Sequence, residues 1–346
     1  MFADLIGNDA AKQVMKRFIA GRRLPNSLIF AGDEGVGKRQ FALAAIRAML
    51  CRDTVDSEPC GVCSICKRVG EFAIPSEEDK DAHKLVIWSG HRDVGTVISY
   101  KRSILVDAIR SLETEANFRP YEAESRFFII DDADKMNDAA ANALLKTLEE
   151  PPETSHLFLI TSRPDSLLQT IRSRCQMLRF SPVERSQVEQ FLIEQKAYSH
   201  DEARLASALS HGSIGRSLSI NADEYRRRGE RMMAVVNNAI GGRDIATLLK
   251  ISEEMNDAKN KDGFESEIDL LESLLHDIWR VAKTGDHSAI INTEYSATLT
   301  SLAEQSSVKS IPSWIEDIER LRSELNVNVN RKVATDSLFV SMAAGQ

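Results

Sequence analysis

Leu28-Ile-Phe-Ala-Gly-Asp-Glu-Gly-Val-Gly-Lys-Arg39 is the stretch that decides the fold. A short apolar run, Leu28 to Ala31, leads into glycines at 32, 35 and 37, and an Ala-rich helical stretch follows from about Arg39 to Leu50. Strand, glycine-rich turn and helix in that order make a phosphate-binding loop. The glycines let backbone N–H groups converge on phosphate oxygens at a helix N-terminus, where the dipole also favours an anion. Lys38 would reach the outer phosphates. The last position departs from the pattern, which wants a Ser or Thr hydroxyl to ligate Mg²⁺. Arg39 stands there instead; a guanidinium has no acceptor and stays positive, so it cannot hold the metal. Gln40 does not replace it, because one residue along a helix is a turn of about 100°.

Working outward, Ala10, Val14, Phe18 and Ile19 share a helical face over 9–21. Leu85–Trp88, Phe127–Ile130 and Leu157–Thr161 are further apolar runs, with helical stretches over Ile104–Glu115 and, capped by Asn137 or Asp138, through Glu149. Pro151-Pro152 ends the latter. Strands alternating with helices predict a mostly parallel, covered sheet. Residues 166–179 read as a short helix feeding a strand. The acidic stretch 71–83 reads as loop. From about Val183 the strand signal fades; 184–219 read as small helices broken near His211 to Gly215. Residues 222–346 are helical, with Ile268, Leu271, Leu274, Leu275 and Ile278 on one face. The expected domains are therefore 1–181 (α/β), 182–220 (small helical) and 221–346 (all-α).

The chain has 346 residues, 42% hydrophobic and 28% charged, enough for two or three cores. It has no apolar run of membrane-spanning length and no signal-peptide pattern at its start, so a cytoplasmic location is expected. A net charge of −8 argues against a protein living on non-specific phosphate contacts. The densest basic run, Arg226-Arg227-Arg228, reads as a solvated helix face.

Four of the five cysteines, Cys51, Cys60, Cys63 and Cys66, fall within sixteen residues. Such spacing reads as metal binding before disulfides in a cytoplasmic chain. Four thiolates suit a closed, tetrahedral, structural Zn²⁺ site. An iron–sulfur centre or free redox thiols are the alternatives, although the Cys-Pro ending of the bacterial ferredoxin run is absent. Cys175 stands apart and reads as a small packed hydrophobe. Asp131, after the 127–130 strand, could hold Mg²⁺ through water, with Asp132 beside it. Arg172, Arg174 and Arg179 read either as solvated charges or as a source of one guanidinium aimed at a neighbouring subunit's nucleotide.

Several blocks taken together resemble the bacterial clamp-loader family, the AAA+ gamma/tau and delta-prime subunits of DNA polymerase III. They are Phe2-Ala-Asp-Leu-Ile-Gly7, the cysteine segment, Ile129 to Asn137, Ala139 to Pro152, Thr161 to Asp165, Ile171-Arg-Ser-Arg-Cys175, and Asn326 to Arg331. They occur in the family's order over nearly the whole chain. The resemblance implies an AAA+ P-loop domain carrying a zinc module at about 51–66, a helical lid and an oligomerising collar. It implies Arg174 as the trans-acting finger. It places Gly32, Gly35, Gly37, Lys38, Asp131, Asp132, Thr161 and Arg216 around a weak or vestigial nucleotide site, with Thr161 and Ser162 at the γ-phosphate sensing position and Arg216 at the second sensor. The family often has Glu where Asp132 stands, one methylene longer.

Arg39 and Asp132 together favour weak or absent hydrolysis and point to the delta-prime branch. That branch acts as a stator rather than a motor, inside a holoenzyme whose DNA-directed DNA polymerase activity belongs to the complex. The implied partners are gamma/tau and delta subunits, the sliding beta clamp, and primer-template DNA through the complex. One rival is a self-sufficient gamma/tau-like ATPase using Lys38, Asp131 and Asp132. Another is a nucleic-acid-binding zinc module, which the net charge disfavours.

Overall fold

Strand β1 (Ser27–Ala31) is buried along its whole length and is the last strand but one of a mostly parallel sheet. The computed structural model describes residues 1–21, 23–76, 78–242, 244–257, 263–305, 309–325 and 329–344. The other strands are β2 (Ile87–Trp88), β3 (Val94–Val97), β4 (Arg126–Ile130), β5 (Ser155–Thr161) and β6 (Gln176–Arg179), in the order β2-β3-β4-β5-β1-β6. Every pairing is parallel except β2 with β3.

Successive side chains of a strand point to opposite faces. Leu28, Phe30, Phe127, Ile129, Phe158 and Ile160 accordingly join one core, with helices α1 (Asp9–Ala20) and α2 (Lys38–Leu50). Ile29, Ala31, Phe128, Ile130, Leu157 and Leu159 join another, with α4 (Val106–Ala116) and α5 (Asp138–Glu149); α3 (Ser64–Arg68) belongs to the cysteine segment. Burial on both faces is why these strands read as continuous apolar runs rather than alternating ones. The 85–88 run is a two-residue antiparallel edge, and the longer neighbour is β3, which the apolar pattern did not mark because Gly95 and Thr96 dilute it. Asn137 is the residue that caps α5, accepting the Ala140 N–H.

After β5, the short α6 (Gln169–Arg172) leads into β6. Helices α7 (Arg185–Lys196), α8 (His200–Leu209) and α9 (Ile214–Ser219) follow, α8 opened by a Ser199/Glu202 capping box. They belong to the first of two compact units, Met1–Ser219; the second is Ile220–Gln346. The second unit is all-helical: α10 (Ala222–Asn237), α11 (Ile245–Met255), α12 (Phe264–Thr284), α13 (Ser296–Ala303), α14 (Ile311–Leu325) and α15 (Arg331–Ala344). Ile268, Leu271, Leu274, Leu275 and Ile278 of α12 lie in its core, as their spacing predicts. Within the Asn326–Arg331 block, 326–328 lie outside the described residues. Among the described residues no helix is long and apolar enough to cross a membrane.

Candidate functional site

The glycine-rich loop sits at the C-terminal end of β1, between its parallel neighbours β5 and β6. Ligands of open α/β sheets bind in this crevice. Gly37 caps α2 with φ near 95°, and Gly35 has φ near 76°, both in the left-handed region that glycine enters without steric cost. Lys38 is almost fully buried, and its ammonium donates to the carbonyls of Gly32 (2.5 Å) and Asp33 (2.6 Å). Burial lowers its pKa, opposed by Asp131, Asp132, Asp33 and Glu34. The lysine thus ties the loop to itself.

Arg39 opens the first turn of α2, and Asp131 follows β4. The two meet as an ion pair with 2.5 Å between Nη1 and Oδ2, each side chain about a quarter exposed. The guanidinium also lies over the Phe72 ring, 5.4 Å from its centroid. So the carboxylate expected to bind Mg²⁺ through water already holds a cation that belongs to the chain. Asp132 has left-handed backbone (φ 51°) and pairs with Lys135 at 2.7 Å.

Thr161, at the end of β5, is fully buried and donates to Asp134 Oδ1 at 2.7 Å. Arg163 grips Asp134 Oδ2 through Nε (3.0 Å) and Nη2 (2.9 Å). Burial pushes the Asp134 carboxyl up, but the hydrogen bonds from Thr161 and Arg163 outweigh it and leave the pKa lowered. Asp134 escaped the sequence reading. Its only signal there was its place three residues beyond Asp131, and its partners lie 27 and 29 residues away.

The Gly212–Arg216 segment meets the loop directly. Gly215 N–H donates to the Gly35 carbonyl at 2.9 Å, and Ser213 Oγ accepts the Arg216 N–H. A Cβ on Gly35 would lie 2.2 Å from Ser213 Oγ. The Arg216 side chain is exposed on α9.

Cys51 follows α2, Cys60 lies in the loop that leads to α3, Cys63 is the N-cap of α3 and Cys66 is within it; their sulfurs all lie within 4.8 Å of one another. Cys51 and Cys63, and Cys60 and Cys66, are 4.0 Å apart. Tetrahedral zinc at about 2.3 Å from each sulfur needs sulfurs about 3.8 Å apart. Backbone N–H groups of Cys60, Cys63 and Cys66 point at the sulfurs of Cys51, Cys60 and Cys63. N–H groups of Val62 and Cys63 bring the Cys60 thiol down to about 7, whereas burial raises Cys66. The set fits a tetrahedral metal ion. Cys175 packs against the second sheet core, its thiol pushed up to about 12 by burial.

Arg174 lies just past α6. It donates to the Thr170 carbonyl (3.0 Å) and Ser173 Oγ (3.4 Å) and pairs with Glu149 (2.8 Å). Arg172 pairs with Asp165 instead, and Arg179 is exposed on the edge strand. Of the basic run, Arg226 and Arg227 are exposed but Arg228 is half-buried; Arg226 pairs with Glu294 and Arg228 with Glu224.

A family described as DNA polymerase III, delta subunit, matches residues 7–184, and its C-terminal counterpart matches residues 222–339. The chain belongs to the DNA polymerase III delta-subunit family. Within it, the chain is 28% identical to DNA polymerase III subunit delta' of Bacillus subtilis, over 98% of each chain. It is 26% identical to the Escherichia coli protein of that name, over 95% of this chain and 92% of that one. The Haemophilus influenzae tau/gamma subunit is 29% identical over 69% of this chain but only 33% of its own length. The resemblance read from the motifs is therefore borne out.

Proposed function

We propose that this family member works as the delta-prime-type, non-motor subunit of the DNA polymerase III clamp loader. Residues 1–181 form its AAA+ domain, 182–220 its lid and 221–346 its collar. It assembles with gamma/tau and delta subunits, helps place the sliding beta clamp on primed DNA, and lends Arg174 to a neighbour's nucleotide. The DNA contact is made through the complex. Cys51, Cys60, Cys63 and Cys66 hold a structural Zn²⁺.

The observation that carries the non-motor reading is the Arg39–Asp131 pair. Mg²⁺ demands near-octahedral oxygen ligands at about 2.1 Å, and a guanidinium already lies against the Asp131 oxygen. Lys38 spends its donors on the loop's own carbonyls, and Gly215 is bonded to Gly35 where a moving lid would need to part from the loop. All three features support a fixed subunit.

A finger in trans stabilises charge that develops on the transferring phosphoryl group. The test is ATP turnover by the assembled loader carrying Arg174→Ala, beside turnover by this chain alone. The account expects no turnover from the chain alone and a loss of about 10³-fold or more in the complex. Mg²⁺-dependent hydrolysis by the isolated chain that vanishes with Lys38→Ala would favour a gamma/tau-like ATPase instead.

A further inference from the structure

The last residue of α5 is Glu149, and a carboxylate there is on the wrong end of the helix. Helix C-termini carry partial negative charge and favour cations. Its compensation is Arg174, 25 positions later in sequence, whose Nη2 lies 2.8 Å from Glu149 Oε1. Nη1 of the same guanidinium is held by the Thr170 carbonyl and Ser173 Oγ. Behind it the four-residue helix α6 is anchored by the fully buried Ile171, whose carbonyl accepts the Arg174 N–H.

We propose that Glu149 is the positioning residue of the trans-acting arginine, fixing the Arg174 guanidinium before the neighbouring subunit docks. The proposal rests on the reading of Arg174 as a finger. A long arginine side chain otherwise samples many rotamers, and ordering it during each turnover would cost part of its effect. The holding contacts occupy both N–H bonds of Nη1 and one of Nη2. Among the described residues Nε–H and the second Nη2 N–H have no partner and stay available for a phosphate oxygen, and the side chain remains 35% exposed. The neighbouring Glu150 ends the helix but forms no ion pair among the described residues. Only one of the two consecutive carboxylates does this work, which provides an internal control.

Both side chains are substantially exposed, 35% for Arg174 and 51% for Glu149, so the pair is of the modest kind. Its loss should reduce the docked population by about two- to fivefold, the range of exposed ion pairs. The experiment uses the assembled loader with Glu149→Ala, Glu149→Gln, Glu150→Ala, Arg174→Ala and the double variant Glu149→Ala/Arg174→Ala, measuring kcat and KM for ATP. Glu149→Ala is expected to lower kcat about two- to fivefold at unchanged KM, because the finger acts in the transition state. Glu149→Gln keeps length and an acceptor oxygen but no charge, and should fall between Ala and the parent. It also carries the test if the alanine variant fails to assemble. Glu150→Ala should match the parent, and the double variant should be no slower than Arg174→Ala. Parental or faster turnover with both Glu149 variants, while Arg174→Ala collapses, overturns the positioning role and leaves the finger standing. So does a double variant slower than Arg174→Ala, since Glu149 would then act elsewhere. Parental turnover with Arg174→Ala removes the finger reading and this role with it.

Discussion

Replacing Arg39 by Thr should open the phosphate site to magnesium. The substitution removes the guanidinium from Asp131 and returns the hydroxyl that the loop pattern lacks. Two unit charges about 4 Å apart at an effective dielectric near 20 attract by about 4 kcal/mol. Desolvation and the roughly quarter exposure of each side chain reduce this. A charge-assisted hydrogen bond of about 1.5–3 kcal/mol is the fitting magnitude. Any metal–nucleotide complex that needs Asp131 must first break that bond, so the parent chain loses about tenfold to a hundredfold in affinity to its own arginine. With Arg39 gone, Asp131 loses its paired cation while Asp132 keeps Lys135, so the carboxylates around the buried Lys38 are left with more uncompensated negative charge, which further favours Mg²⁺. Calorimetric titration of the full chain with ATP, in Mg²⁺ and in EDTA, reads the effect. Arg39→Thr should bind in Mg²⁺ at least about tenfold more tightly than in EDTA, and the parent should show no such gap. A variant as indifferent to Mg²⁺ as the parent, with an unchanged circular dichroism spectrum, would refute the reasoning.

Three other consequences follow from particular contacts. Cys63→Ser should remove bound zinc from the purified chain, measured by atomic emission, and raise amide exchange across residues 51–70, with the sheet strands unaffected. Gly35→Ala forces a non-glycine residue to φ near 76° and drives its Cβ into Ser213 Oγ, so thermal unfolding should report a loss of about 1–3 kcal/mol. The Asp134 pKa is depressed in the folded chain, so its contribution is fully present above the unfolded value and is lost as pH falls through the folded one. Thr161→Val removes a donor to the charged carboxylate and should move that acid loss to higher pH, read from denaturant unfolding between about pH 2 and 5.

What the sequence makes legible is local. The phosphate loop, the cysteine spacing and the Asn137 cap are each complete within a few residues, and their chemistry follows from residue type. Strand β3 is lost to that reading because Gly95 and Thr96 break its apolar signal; its identity as a strand comes from pairing with β4. The partner of Arg39 is equally invisible, since Asp131 lies 92 residues on. Sequence reasoning establishes only that an arginine cannot serve as a metal ligand. The structure adds that this arginine pairs with the carboxylate expected to hold the metal. The Gly35–Gly215 bond, Asp134 and Glu149 are likewise contacts between distant segments, set by sheet order and helix ends rather than by any motif.

The central claim is that the working chemistry of this chain lies in Arg174 and acts on a nucleotide held by another subunit. DNA-stimulated ATP turnover by the reconstituted loader, with parent chain and with Arg174→Ala at equal assembly, tests it most directly. The account predicts a fall of about 10³-fold or more with the complex still intact; turnover equal to the parent would contradict it.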